Sequence, residues 1–513
     1  MKFLVFSDVH IGGKFNEAMF LKGVDIINKT EADYFIFTGD LTDQGTVAEY
    51  QLVKNKYLPM FEKEILLVPG NHDVKNVGDL LWEEYIGPRY FVKTDLEKKV
   101  KILGLDSNEP DRNEGRMGEK AIERIYEEFS ELDDEWLKIL VFHHQSLPIK
   151  FTGRERSALV DAGDTIKAIM DCNIDLVLNG HRHISNVYKL TDGDINTLVV
   201  NCGTMSCKKT RYHEEYSITL IEINDEQTKA KVDVQLLNED NESIINKYDG
   251  TLKTVKAPSK LGELKATIVH MGNTDFSHGS FVQENYAKAV QFINSLHKCD
   301  IVIHCGDVTA SSYPEEFVMA QSLLSQIQKP LIVVPGPRDY FPLGYELFPK
   351  YIGSPNVDYS NDNVKVLGFN SCILDEKIGR LGRSRSKLLL DELKGIDQIG
   401  LIAFHHTIIP LPKTKHESEL EDAGDLLALL VENNINLVLT GAKNRSGSWQ
   451  INDTVFVNTG TVSSKNITTA KGNSINIINI YNTEKGYFYK VEEYFLESDN
   501  MVTIGQYHVK IKK

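Results

Sequence analysis

Hydrophobic residues in this chain come in short unbroken runs separated by polar turns. Phe3-Leu4-Val5-Phe6 is the first, and residues 34–37, 64–68, 139–142, 175–178 and 197–200 have the same character. Runs this short and apolar predict strands buried on both faces. Residues 16–29 and 119–132 instead space their apolar side chains as a helix does. Alternation appears at 217–223 and 230–237, and again at 474–481 and 486–493, predicting further strands. Alternating strands and helices closed by a strand-rich extension make an α/β layered domain.

The pattern is written twice. Gly104 answers Gly368, Asp40 answers Asp307, and His143 answers His405. Asp161-Ala162-Gly163-Asp164 returns as Asp422-Ala423-Gly424-Asp425, and Asn201-Cys202-Gly203-Thr204 as Asn458-Thr459-Gly460-Thr461. All five pairs keep their order at nearly constant separation, which predicts a tandem repeat of a whole domain. The expected domains are 1–250 and 265–513, joined by a linker at 251–264 that carries Pro258 and Gly262.

Composition changes this picture little. The 513 residues are 41% hydrophobic and 25% charged, ordinary for a soluble globular protein. A formal charge of −16 argues against a polyanionic nucleic-acid partner. Six cysteines without a CxxC pair read as reduced, buried thiols. With no signal-like or membrane-length apolar run, the expected location is the cytoplasm, with no membrane partner.

The candidate chemistry lies in five motifs of the first repeat: Asp8-Val9-His10, Gly39-Asp40, Gly70-Asn71-His72-Asp73, His143-His144 and Gly180-His181-Arg182-His183. Each follows an apolar run, and strand C-terminal ends of an open α/β sheet share one crevice. Asp8, His10, Asp40, Asn71, His143, His181 and His183 can therefore converge. Carboxylates, imidazoles and one amide oxygen suit Mn, Fe or Zn and are too nitrogen-rich for Mg or Ca alone. So many ligands exceed the needs of one tetrahedral ion. One carboxylate would bridge two divalent ions, in a site suited to in-line displacement at phosphorus. Strand alternation favours His143 over His144 as the ligand.

In this order the motifs resemble the calcineurin-like metallophosphoesterase superfamily, whose pattern is DxH, GD, GNH(D/E), a single His and GHxH. The resemblance covers residues 1–210 and implies an α-β-β-α domain in each repeat. It implies that Asp8, His10 and His183 hold one metal, that Asn71, His143 and His181 hold the other, and that Asp40 bridges them. It further implies a metal-bound hydroxide as nucleophile. His72 would stabilise the transition state or protonate the leaving oxygen, and Asp73 would orient His72. The first repeat departs from many relatives at Gln145-Ser146, which separates the paired histidines from Pro148.

The second repeat has lost most of these ligands. Asn273 stands at the Asp8 position and Asp275 at the His10 position, while Asp307 and His405 remain. GNHD has become Gly336-Pro337-Arg338-Asp339, and GHRH has become Gly441-Ala442-Lys443-Asn444. Arg338 and Lys443 bring positive charge where a dication should sit, so a catalytically inactive domain is expected. It either serves as a structural partner or forms an anion pocket from Arg338, Lys443, Arg380, Arg383 and Arg385.

Substrate choice should come from loops. Arg112 and Arg116, in the polar stretch 108–116, are candidate phosphate grips, and Arg154 and Arg156 are similar. Gly104, Asp106 and Ser107 followed by Gly118 resemble the bacterial cyclic-nucleotide phosphodiesterase branch, whose architecture glycerophosphodiester-cleaving relatives share. The expected function is hydrolysis of a small, nucleotide-type phosphodiester by the first domain. The alternatives are a phosphomonoesterase or nuclease on the same core, or a non-catalytic metal-binding scaffold. The intact His72 argues against the scaffold.

Overall fold

The computed structural model describes residues 1–513 apart from 152–157, 212–213, 238–242, 254–260, 394, 414–419, 469–471, 485 and 511–513. Arg154, Arg156 and residues 254–260 of the expected linker thus lie outside the described residues. The chain divides into two compact units, Met1–Leu190 with Ile195–Val255, and Lys256–Lys513 with Thr191–Asp194.

The first unit runs β1 (Lys2–Phe6), α1 (Glu17–Lys29), β2 (Tyr34–Phe37), α2 (Val47–Leu52), β3 (Ile65–Leu67), α3 (Gly78–Tyr85), β4 (Phe91–Asp95), β5 (Val100–Gly104) and α4 (Glu119–Phe129). It continues through β6 (Leu137–Val141), α5 (Ala162–Asp171), β7 (Leu176–Asn179), β8 (Asn186–Asp192), β9 (Ile195–Asn201), β10 (Ser217–Ile223), β11 (Lys229–Leu236) and β12 (Ile244–Thr251). One sheet has the order β12-β11-β10-β1-β2-β3 and the other β8-β9-β7-β6-β5-β4. Strands β1, β2 and β3 pair in parallel, as do β5, β6, β7 and β9.

Alternation along the strands divides their side chains between two cores. Phe3 and Val5 pack with Ile139, Val141, Leu176 and Leu178 between the sheets. Leu4 and Phe6 turn the other way, onto Phe20, Val24 and Ile27 of α1. This is why the runs are continuously apolar: each residue loses water on one face or the other, worth about 1.5–3 kcal/mol per large side chain. Asn16 caps α1 by accepting from the Met19 N–H, with Glu17 in the first turn and Lys29 in the last.

The second unit repeats the plan strand for strand. Its elements are β13 (Leu264–Met271), α6 (Gln283–Ser295), β14 (Ile301–Cys305), α7 (Pro314–Leu324), β15 (Leu331–Val334), α8 (Gly344–Tyr351), β16 (Val357–Ser360), β17 (Val364–Gly368) and α9 (Arg383–Leu393). There follow β18 (Ile399–Ala403), α10 (Ala423–Glu432), β19 (Leu437–Thr440), β20 (Gly447–Ile451), β21 (Thr454–Asn458), β22 (Ser474–Thr483), β23 (Gly486–Phe495) and β24 (Asn500–Lys510). The orders β15-β14-β13-β22-β23-β24 and β16-β17-β18-β19-β21-β20 mirror the first unit. Ile268 and Ile303 enter the core between the sheets, and Val269 and Val302 the core beneath the helices. Among the described residues, no helix is long and apolar enough to cross a membrane.

Candidate metal centre

Each motif sits where a strand ends. Asp8 and His10 follow β1, Asp40 follows β2, Asn71 and His72 follow β3, His143 follows β6, and His181 and His183 follow β7. Asp8, His10, Asp40, His181 and His183 take left-handed backbone, with φ of 55°, 56°, 62°, 72° and 58°. That conformation costs a non-glycine residue about 1–2 kcal/mol, and such strain gathers where side chains must be aimed. The Asp8 N–H donates to Gly39 O at 2.9 Å and the His10 N–H to Asp40 O at 3.0 Å, binding the first two loops together. A Cβ at Gly70 would come 2.2 Å from Asp40 Oδ1, so only glycine permits this approach.

Ligand atoms of Asp8, His10, Asp40 and His183 lie within 4.8 Å of one another, and those of Asp40, His143 and His181 form a second such group. Asp40 belongs to both. Its Oδ1 accepts from the His72 N–H at 2.8 Å. Its Oδ2 stands 3.3 Å from His10 Nε2 and 3.4 Å from His143 Nε2. Asp8 is divided in the same way: Oδ2 accepts from the His181 N–H at 3.1 Å, and Oδ1 lies 3.1 Å from His183 Nε2. Asn71 gives its amide N–H to Asn113 at 3.3 Å. Its Oδ1 therefore faces His143 Nε2 at 3.2 Å and His181 Nδ1 at 2.9 Å. His143 Nδ1 meets Thr38 O at 2.8 Å and His183 Nδ1 meets Lys209 O at 2.7 Å. Donation there turns each Nε2 inward, where it offers a lone pair once its proton is displaced.

The cluster is buried, and its charges set one another. Burial alone would push the Asp40 carboxyl up, but His143, His72 and His10 outweigh it and hold the group well below the usual range. Burial would lower His143, but Asp40 overcomes it and raises the imidazole to about 9. Protons on imidazoles thus balance the carboxylates, and a divalent ion would displace them. Asp8 Oδ1, buried and 3.1 Å from His183 Nε2, faces the same centre and could coordinate an ion there. Carboxylate, imidazole and amide donors together fit Mn, Fe or Zn.

The sequence profile of the calcineurin-like phosphoesterases matches residues 1–185 and again 266–442. The chain belongs to the calcineurin-like phosphoesterase family. A probable glycerophosphodiester phosphodiesterase of Arcobacter nitrofigilis is 30% identical over 127 residues, 24% of this chain and 44% of that protein. A probable cyclic nucleotide phosphodiesterase of Ruthia magnifica is 22% identical over 196 residues, 35% of this chain and 77% of that protein. A cAMP/cGMP dual specificity phosphodiesterase of Mycobacterium tuberculosis is 24% identical over 176 residues, 34% of this chain and 55% of that protein. The match spans less than half the length of the first of these relatives and little more than half of the third.

Within this phosphoesterase site, one expectation needs correction. Asp73 does not orient His72. Its carboxylate accepts from Leu41 N–H at 3.1 Å, Thr42 N–H at 2.7 Å, Thr42 Oγ1 at 2.9 Å and Gly70 N–H at 2.8 Å, so it ties two loops together. Asp339 makes the same four bonds in the second unit, where no imidazole stands beside it. Arg112 and Arg116 both turn to Glu109, at 3.1 and 3.0 Å. One carboxylate between two guanidiniums leaves a positive charge on this exposed loop.

Sequence reasoning also missed three neighbours. His72 Nδ1 lies 2.6 Å from the Asp43 carbonyl oxygen, and Lys75 Nζ is 2.9 Å from the same nitrogen. The Asp43 carboxylate stands 3.5 Å from both His10 Nδ1 and His72 Nδ1 and 3.0 Å from Lys14 Nζ. Asp43 lies three residues past Asp40 and Lys75 three past His72, a spacing that could have flagged both. Cys207 Sγ falls within 4.8 Å of the His10 and His183 ligand atoms, and nothing in its sequence context marked it. His144 points elsewhere, with Nδ1 2.9 Å from Ser107 Oγ.

In the second unit the frame survives around different chemistry. Asn273, Asp275 and Asp307 keep left-handed backbone, at φ 52°, 49° and 53°. The Asn273 amide donates to Gly441 O and Gly460 O at 2.6 and 2.9 Å. Arg338 places Nη1 2.8 Å from Asp275 Oδ2 and Nε 3.6 Å from Asp307 Oδ2. A single guanidinium therefore bridges two carboxylates where the first unit has imidazoles. Among the described residues, the groups of candidate metal ligands all lie in the first unit.

Proposed function

We propose that the first unit hydrolyses a small, nucleotide-type phosphodiester with two divalent ions, and that the second unit is catalytically inactive. The observation that carries this reading is Asp40, whose Oδ2 lies between the two ligand groups while its Oδ1 is fixed by the His72 N–H. Asp8, His10, Asp40 and His183 would hold one ion, and Asp40, Asn71, His143 and His181 the other. Bound there, the ions would polarise the phosphoryl group and lower the pKa of water enough to supply a hydroxide nucleophile. His72, steadied by the Asp43 carbonyl and beside the Lys75 ammonium, would give a proton to the leaving oxygen or stabilise charge on phosphorus. The names of the relatives support a diester, and the −16 charge disfavours a polymeric nucleic acid.

The test is turnover of bis(nitrophenyl) phosphate, nitrophenyl phosphate and cyclic nucleotides by the full chain loaded with Mn, Fe or Zn. Diester cleavage that fails in Asp40→Asn supports the reading. A metal-loaded protein inert towards every ester sinks it, and a monoester preference moves the assignment to a phosphatase.

A further inference from the structure

The loop that follows β9 is laced to the loop that follows β1. The Met205 N–H donates to Ser7 O at 2.9 Å, the Asn16 N–H to Ser206 O at 2.8 Å and the Lys208 N–H to Lys14 O at 2.7 Å. The hydroxyls of Thr204 and Ser206 donate to Asp8 O and Val9 O at 2.6 and 3.0 Å. Cys207 sits inside this lacing, fully buried, with its N–H on Thr204 Oγ1 at 2.8 Å. Its Sγ lies within 4.8 Å of the ligand atoms of His10 and His183, the two imidazoles that also group with Asp8 and Asp40. We propose that Cys207 is a thiolate ligand of the ion held by Asp8, His10, Asp40 and His183, and that it turns this position towards Zn or Fe and away from Mn. The inference rests on the proposed function for the presence of that ion.

The second unit carries the same lacing. The Val462 N–H donates to Gly272 O at 3.2 Å, the Val282 N–H to Ser463 O at 2.7 Å and the Lys465 N–H to Ser280 O at 2.8 Å. The hydroxyls of Thr461 and Ser463 donate to Asn273 O and Thr274 O at 2.6 and 2.9 Å. In the place of Cys207 stands Ser464, bridged to Phe281 as Cys207 is to Phe15. The Ser464 side chain reaches the Asp275 carboxyl, which occupies the His10 position. The backbone therefore aims this side chain at the centre in both units. The thiol accompanies the imidazoles, and the hydroxyl stands where the described residues form no group of candidate metal ligands. A thiol that only fills space needs no such aim. Cys172 is also buried, yet its Sγ meets Ile125 O at 3.8 Å, and Cys202 joins the core between the sheets.

The distances allow coordination. With Zn–S of about 2.3 Å and Zn–N of about 2.0–2.1 Å, two ligands of one ion stand at most about 4.4 Å apart. A spacing within 4.8 Å thus needs a closure of about half an ångström or less. Thiolate is softer than carboxylate and favours Zn or Fe over Mn. As the sulfur–metal bond forms the S–H bond breaks, and the proton leaves to solvent.

The experiment reads the bond and not turnover. The full chain is stripped with chelator, loaded with Co(II) and examined for the near-ultraviolet thiolate-to-cobalt charge-transfer band. The unsubstituted protein should show the band, and Cys207→Ser should lose it while still binding cobalt. Serine already occupies this loop in the second unit, so the variant should fold, which its melting temperature checks. Cys172→Ala should keep the band. In competition Cys207→Ser should lose about tenfold in Zn affinity and stay within about threefold for Mn. Cobalt bound without the band overturns the proposal, as does a band that survives Cys207→Ser. Equal losses for Zn and Mn overturn the metal preference. Protein that binds no cobalt sinks the metal centre together with this ligand, whereas bound cobalt and an intact band without ester hydrolysis sink the proposed activity alone.

Discussion

The two units share a topology and even their loop bends, yet equivalent carboxylates behave oppositely. Burial pushes both Asp40 and Asp307 up. In the first unit three imidazoles reverse that and hold Asp40 well below the carboxylate range. In the second, Arg338 opposes burial without overcoming it, and Asp307 settles at about 6. Asp73 and Asp339, by contrast, agree: burial and then the neighbouring carboxylate raise them to about 6 and 7. The lesson is that the scaffold carboxylates serve the fold and match in both units, while much of the cluster inside differs between them.

The largest expected difference is in turnover. Asp40→Asn should reduce diester hydrolysis by about 10³-fold or more, whereas Asp307→Asn should leave it within about twofold, both read by steady-state kinetics at saturating metal. Loss of activity in a folded Asp307→Asn protein would break the comparison outright. Stability should show agreement where turnover shows contrast. Asp73→Ala and Asp339→Ala each strand several buried donors and should cost their own unit about 3 kcal/mol in denaturant unfolding. If Asp73→Ala lowered turnover with no loss of stability, its loop-tying assignment would be wrong.

Metal should separate the units again. At a hundredfold excess over Kd it stabilises whatever binds it by about 2.7 kcal/mol. Calorimetry should show this gain in the first unit's transition and no shift in the second's. The size should depend on pH through His143, raised to about 9 from an ordinary 6.5. A raised pKa adds stability to the metal-free fold that is complete below about 6.5 and lost as pH climbs through about 9. Metal affinity runs the other way, because fewer protons must be displaced. The gap between loaded and stripped melting temperatures should therefore widen from about pH 6.5 to 9, and a constant gap would contradict the proton-filled cluster. The smallest effect belongs to Arg112→Ala and Arg116→Ala. Each removes one exposed pair with Glu109 and should change KM by less than about twofold.

Much of this was legible because burial writes itself plainly. The runs at 3–6, 34–37, 139–142 and 175–178 are strands buried on both faces, and the metal-type residues follow them directly. Strand β12 was missed because most of it is exposed at a sheet edge, where no alternation is imposed. The second repeat's closing strand β24 was missed as well, and its exposed start breaks the pattern in the same way. The role of Asp73 was illegible for another reason. Adjacency to His72 in sequence says nothing about where a side chain points, and here the backbone donors of Leu41, Thr42 and Gly70 claim it. The Glu109 pairing of Arg112 could have been anticipated from its three-residue spacing; that of Arg116, seven residues away, could not.

The left-handed bends at Asn273, Asp275 and Asp307 stand where the first unit bends at Asp8, His10 and Asp40. Side chains change by single substitutions, but a strained loop must be supported by everything packed around it. The second unit thus resembles an empty casting mould, and restoring donors such as Asn273→Asp and Asp275→His, together with removal of the Arg338 guanidinium, asks for no new backbone. In this architecture the shape of the loops and the side chains they carry vary separately, the shape being shared by both units.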